Sequence, residues 1–331
     1  MWLGMATLAH AASCDRPTAS ASLHFLSAKS SGTGPAGDSG VQPSGFVGPK
    51  SGEAVVQGVD ISKLQDETDL ETAFSCGAAF AYVQLSSGTD ATDHSYRLYW
   101  PNARAAGLLT GPMHGLSVEP AAAKAWYAAD ASGRPALFQG LADAAISAGK
   151  AQASLFLSRL DEVLSSEITP NATSSGVQYL PIALDLTADP LPGAPAADKA
   201  QFGQIYAAVA CGFVAQIRAN PKTSQAQLIL FAEPGVYAAY RLGQNSCGLE
   251  KMTVWISYHT PDGDRYDAPS AAADTASISA LCRPGGVADR CRLQQYSSAA
   301  SFAVFQPGAH LHLDRFYGSL ADLRVMLQTY R

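Results

Sequence analysis

Val55-Val56-Gln57-Gly58-Val59-Asp60-Ile61-Ser62 sets a carboxylate at the end of a short apolar run. The β-branched residues Val55, Val56, Val59 and Ile61 favour an extended strand. Lys63 to Cys76 then reads as a helix stopped by Gly77, a residue that tolerates the backbone a helix end requires. The pattern recurs twice: Leu180 to Asp185 ends an apolar strand in Asp185, and His310 to Asp314 ends in Asp314. Barrels built from β/α units keep their chemistry at the C-terminal ends of parallel strands. Three carboxylates at three strand ends converge only if the strands lie side by side.

Further segments alternate in the same way. Strands are predicted at Ala78–Leu85, Leu108–His114, Leu180–Leu186, Gln227–Phe231 and Thr253–Tyr258. Helices are predicted at Tyr96–Ala106, Lys150–Leu164, Asp198–Ala219 and Gly235–Leu242. Towards the end, Arg292–Ser297 and Leu311–Arg315 read as strands with no helix between them. The expected fold is α/β, a TIM-like (β/α) barrel with irregular closure by late β-strands. Glu119–Ile146 and Thr260–Arg290, roughly 119–146 and 260–290, read as insertions at the level of the loops.

The first 54 residues are different. Residues 1–13 are apolar and carry Ala9-His10-Ala11, a small-x-small pattern like the tail of a secretory signal, but without a basic start. The alternative is an apolar N-terminus outside the fold. Cys14 faintly resembles a lipoprotein box that lacks its usual leucine. Residues 14–54 are rich in Ser, Gly and Pro and read as a disordered tether to the domain at 55–331.

The chain of 331 residues is 47% hydrophobic and 15% charged, with net charge −6 and no basic block, which argues against nucleic acid as a partner. No apolar run is expected to span a bilayer. Six cysteines fit an exported protein, periplasmic or extracellular. Cys282 and Cys291 flank a turn-rich loop that a disulfide would close, Cys211 and Cys247 form a looser second pair, and Cys76 reads as a buried small residue. No Cys/His spacing forms a zinc site, and no cofactor is implied. Asp262, Asp264 and Asp267 lack the rest of a calcium-loop pattern. Asn171-Ala172-Thr173 is a glycosylation triplet only in a eukaryotic secretory route.

From about residue 57 onward the chain resembles the glycoside hydrolase family 25 lysozymes, N-acetylmuramidases that cut peptidoglycan. The resemblance rests on Gly58-Val59-Asp60-Ile61-Ser62, Phe80-Ala81-Tyr82-Val83 with Gly88-Thr89, Asn102 to Gly107, Gly111 with His114, and Ala151-Gln152-Ala153 with Phe156. It continues in Val254-Trp255-Ile256, Gln295-Tyr296-Ser297 and Leu313-Asp314-Arg315-Phe316. It implies a peptidoglycan or related glycan substrate, with Asp60, Asp185 and Asp314 in the active cleft. It also implies substrate contacts from His114, Gln84, Trp255 and Tyr296. The family's fourth strand ends in Asp-x-Glu, with Glu as general acid; here it reads Asp185-Leu186-Thr187. Gln84, Ser87 and Phe231-Ala232 also depart from the family's usual residues.

A threonine hydroxyl donates a hydrogen bond but releases no proton near neutrality, and loss of a general acid costs on the order of 10²–10⁴ in rate. Weak or absent hydrolysis is therefore expected. Glu233 and Asp189 are the candidate substitute acids; helix capping and turn capping are their alternative roles. The competing function is an inactive module that binds glycan or a protein of the cell envelope.

Overall fold

The computed structural model describes residues 54–65, 69–75, 77–129, 133–167, 176–244, 247–258, 281–282, 290–300 and 311–330. Cys14, Cys76, the Asn171 triplet, the three aspartates at 262–267, the tether and most of the 260–290 insertion lie outside these residues.

The strands are β1 (Val55–Ile61), β2 (Phe80–Ser87), β3 (Leu109–Gly115), β4 (Val177–Tyr179), β5 (Ile182–Asp185), β6 (Leu228–Ala232), β7 (Thr253–Ser257), β8 (Cys291–Ala300), β9 (Leu311–Tyr317) and β10 (Gln328–Tyr330). Eight of them close a barrel in the order β1-β2-β3-β5-β6-β7-β8-β9, and β4 pairs with β10 in a separate ribbon. Every barrel neighbour is parallel except β9, which runs antiparallel to both β8 and β1. This is the TIM-like barrel with irregular late closure read from the sequence.

The inner face is filled by alternate residues of the strands, including Val56, Phe80, Tyr82, Met113, Ala183, Phe231, Trp255, Leu293 and Phe316. Two glycines make room for the rings. A Cβ on Gly58 would lie 2.4 Å from the Phe80 ring, and one on Gly111 would lie 2.3 Å from the Tyr82 ring. The intervening residues of the strands face the helices and form a second apolar layer.

The helices are α1 (Leu70–Ser75), α2 (Tyr96–Ala105), α3 (Pro120–Ala128), α4 (Arg134–Ser165), α5 (Ala196–Ala219), α6 (Pro234–Ala239) and α7 (Leu320–Val325). Of the helix expected at 63–76, only Leu70–Ser75 is helical among the described residues. The helix expected to begin at Lys150 begins at Arg134 and runs 32 residues, taking in nearly half of the first insertion. Small residues explain its union with α5: a Cβ on Gly149 would meet the Val209 carbonyl oxygen at 2.0 Å, and one on Gly212 the Ile146 oxygen at 2.2 Å. The two backbones therefore touch.

By length and composition α5 is long and apolar enough to cross a membrane, unlike the expectation from sequence. Its Phe202, Ile205, Phe213 and Ile217 are buried instead in the layer between barrel and helices. Disulfides join Cys211 to Cys247 and Cys282 to Cys291.

Candidate active site

Strand direction decides what reaches the mouth of the barrel. The parallel strands bring their C-terminal ends there, and β9 brings its N-terminal end. Asp60 therefore lies opposite His312 in the β1–β9 register, whereas Asp314 lies opposite Gly58, two residues deeper. Asp185 ends β5 on the same inward face as Ala183 and is half-buried. Gln84 shares the inward face of Tyr82, two residues on.

Asp60 is 2% exposed and strongly held. Gln295 Nε2 donates to its Oδ2 at 2.7 Å, and His312 Nδ1 lies 2.8 Å from its Oδ1. The surrounding hydrogen bonds fix the tautomer of His312. Gln65 Oε1 accepts from the Ser62 N–H at 2.7 Å and the Ser62 hydroxyl at 2.9 Å. Its amide nitrogen is thereby turned to His312 Nε2 at 3.1 Å, as donor. His312 then carries its proton on Nδ1 and donates it to Asp60. Burial works against charge on His312, but Asp60, by charge and by hydrogen bond, and Asp185, by charge, raise its pKa. A second proton on Nε2 requires Gln65 to release Ser62.

Asp314 is a floor residue. It is 0% exposed and accepts from Trp255 Nε1 at 3.0 Å. Burial and then the adjoining Asp60 push its carboxyl well above the usual range, against the donation from Trp255. Its Oδ2 is sealed from solvent with no other partner among the described residues. A protonated Asp314 that donates Oδ2–H to Asp60 satisfies both groups. Trp255 stacks on Phe231 at 4.2 Å between ring centroids and leans on Tyr82 at 4.8 Å, so it too belongs to the floor.

Asp185 is arranged differently. Both the backbone N–H and the hydroxyl of Thr187 donate to its Oδ1, at 2.8 and 2.7 Å. Burial is the main influence and raises its pKa to about 6; the Asp60 charge adds to this, and Thr187 and His312 act against it.

Two sequence expectations are corrected by the alternation of side chains. His114 follows inward Met113 and so faces outward. It is buried between Ser86 at 2.8 Å and Gln152 at 3.2 Å and stacks on Phe213. Tyr296 follows inward Gln295 and likewise faces away from the axis, with its hydroxyl on Gln57 and Arg315 over its ring. The substitute acids are also committed elsewhere. Glu233 caps α6, accepting from the N–H groups of Gly235 and Val236. Asp189 holds Lys199, the Tyr240 hydroxyl and the Leu191 N–H. Burial raises the Asp189 pKa, but these three partners outweigh it and the net shift is downward.

His312, Gln295 and Gln65 are the mouth residues that sequence reasoning missed as site groups. The signal was present in His310-Leu311-His312-Leu313-Asp314, where period-two alternation puts His312 and Asp314 on one face.

Burial holds the His114 pKa down to about 4, so it is neutral throughout the physiological range. The unfolded chain takes up this proton below about pH 6.5, and the folded chain only near 4. His114 therefore contributes stability above about pH 6.5 that is lost as pH falls towards 4. The expected result is a urea midpoint that declines over this window, with a shallower decline in His114→Gln; equal slopes would contradict the assignment.

With this geometry in place, comparison with known proteins bears on the first part of the barrel. Residues 59–137 match the family model of glycosyl hydrolases family 25. That stretch runs from β1 into α4 and contains Asp60; Asp185, Thr187 and β9 lie beyond it. Lysozyme M1 of Streptomyces globisporus is 34% identical over 59 residues, 18% of this chain and 20% of that protein. The chain thus matches about a fifth of the length of this curated relative. The bacterial lysozyme from Streptomyces coelicolor superposes with TM-score 0.50 and 19% identity, covering 82% of this chain and 96% of that one. The catalytic domain of endolysin ply40 from bacteriophage P40 of Listeria monocytogenes gives TM-score 0.50 and 13% identity, covering 82% and 97%. At these identities the structural likeness is one of fold. The family-25 match thus covers the stretch from β1 into α4, and the structural likeness adds the barrel fold.

Proposed function

We propose that residues 55–331 form a family 25 lysozyme-type domain directed at peptidoglycan, with slow hydrolysis. The observation that carries this reading is the meeting of Asp60 and Asp185 at one barrel mouth, in a chain whose β1–β3 region matches that family. A cavity of about 420 Å³ lies just past the ends of β3 and β5, between Ser117, Lys124, Tyr127, Ala188, Asp189 and Tyr206; Asp60 and Asp185 do not line it, so it is a neighbouring hollow and not the cleft between them. That volume falls in the range of ordinary ligand sites, and apolar walls with a few polar groups suit a sugar ring. The two disulfides support an oxidising, exported setting for the domain, with residues 14–54 as its tether.

Slow turnover follows from Thr187, which stands where the family resemblance places a glutamic acid and is engaged with Asp185. The same commitment favours a second reading, in which the cleft binds glycan or an envelope protein without cutting. One experiment separates the two. Purified peptidoglycan is incubated with the protein, and both co-sedimentation and release of reducing ends are measured. Co-sedimentation with slow release is the expected outcome. Co-sedimentation with no release establishes the binding module, and the absence of both overturns the glycan reading.

A further inference from the structure

We propose that Asp185, held by Thr187, is the proton donor to the departing sugar oxygen in this chain, with the Asp60 carboxylate opposite it. This rests on the lysozyme-type reading above and names the group that sustains its chemistry.

The geometry argues by elimination and by orientation. Cleavage of a glycosidic bond needs one carboxyl that gives up a proton and a second that faces the developing positive charge. Glu233 has both oxygens on the start of α6, and Asp189 is tied to Lys199, Tyr240 and Leu191. Asp314 lies on the floor, out of reach of a ligand. His312 has both ring nitrogens engaged, one with Asp60 and one with Gln65. Asp60 accepts from Gln295 and His312 and so presents itself as acceptor.

Asp185 alone combines position with a spare atom. Both donations from Thr187 fall on Oδ1. Oδ2 has no hydrogen-bond partner among the described residues, yet it is not sealed from solvent. Thr187 on this account is a positioning residue: it fixes the carboxyl plane and leaves Oδ2 to carry the proton towards the mouth. The groups facing Asp185 are Asp60 on β1, His312 on β9 and Tyr206 on α5. Burial and the Asp60 charge favour its protonated form, and His312 and Thr187 oppose it, so that it titrates at about 6.

The Asp185 Oδ2–H proton passes to the glycosidic oxygen, which keeps the electron pair of the breaking bond to the anomeric carbon. Water then adds to that carbon through its oxygen and returns a proton to Asp185.

The test measures release of reducing ends from purified peptidoglycan against pH, beside co-sedimentation. Asp185→Asn should lower release at least ~100-fold with co-sedimentation retained, while Glu233→Gln stays within about twofold, a change of less than ~0.5 kcal/mol in the activation barrier. Wild-type release should fall as pH rises through about 6, since the donor must be protonated. Thr187→Val deletes a hydrogen bond that lowers the Asp185 pKa, so this limb should move to higher pH; a merely structural Thr187 would leave it in place. Retained release in Asp185→Asn, an unmoved limb in Thr187→Val, or no wild-type release by a protein that still co-sediments each overturns the donor assignment alone. Failure to co-sediment as well overturns the lysozyme-type reading with it.

Discussion

Replacing Thr187 with Glu should speed release of reducing ends from peptidoglycan by about 10- to 100-fold, within the span attributed to a positioned general acid. Thr187 lies two residues past Asp185, just beyond the end of β5, and is half-buried with its hydroxyl on Asp185. A glutamate there adds a carboxyl on a longer side chain beside Asp185. It also retains the backbone N–H that holds Asp185 Oδ1. The gain is expected to fall short of the full range. A catalytic acid depends on the residues that support it, and Gln84 and Ala232 depart from the residues the resemblance implies at those positions. In Thr187→Glu the further change Asp185→Asn should cost less than it does in the wild-type chain, because the new carboxyl shares the work. A Thr187→Glu protein no faster than wild type would show that missing acidity does not limit turnover.

Truncation of Trp255 to Ala should have the largest effect on stability, about 3–5 kcal/mol, as is typical when a buried indole is removed. Trp255 is wholly buried on the barrel axis between Phe231 and Tyr82. Its loss opens a void and also removes the donor to Asp314 Oδ1. Trp255→Phe separates the two effects. It keeps much of the ring volume and leaves the buried carboxyl without its partner, at a cost of about 1–3 kcal/mol. Urea denaturation of the three proteins measures both terms. A loss under about 1 kcal/mol in Trp255→Ala would mean that the floor of the barrel is not packed on this ring.

Much of the barrel was legible in the sequence, because short β-branched runs ending in acids mark strands whose C-terminal ends meet. Asp60 and Asp185 were found this way, and both lie at the mouth. Asp314 was read by the same rule, but β9 runs antiparallel, so its beginning and not its end reaches the mouth. That reversal puts His312 beside Asp60 and sends Asp314 to the floor. No local pattern in His310 to Asp314 encodes the direction of the strand; it is fixed by pairing with β8 and β1. His114 and Tyr296 were one residue off the inward face, a distinction that depends on register and not on residue type. The length of α4 was missed because reading 119–146 as a loop insertion cuts off its N-terminal half, although Phe138, Leu141 and Ala145 already follow helical spacing and pack on the core.

The antiparallel closure makes the chemistry of the mouth hostage to the alignment of a single strand. Leu311 and Leu313 face the helices, while His312 and Asp314 face the axis. A slip of β9 by one residue would exchange the two sets, turning the site inside out while every mouth residue stayed in the chain. The β8–β9 pairing already absorbs two shifts of register, after Gln295 and after Ser297. Insertions or deletions near those bulges would then silence the protein as completely as loss of Asp60, with no polar residue altered.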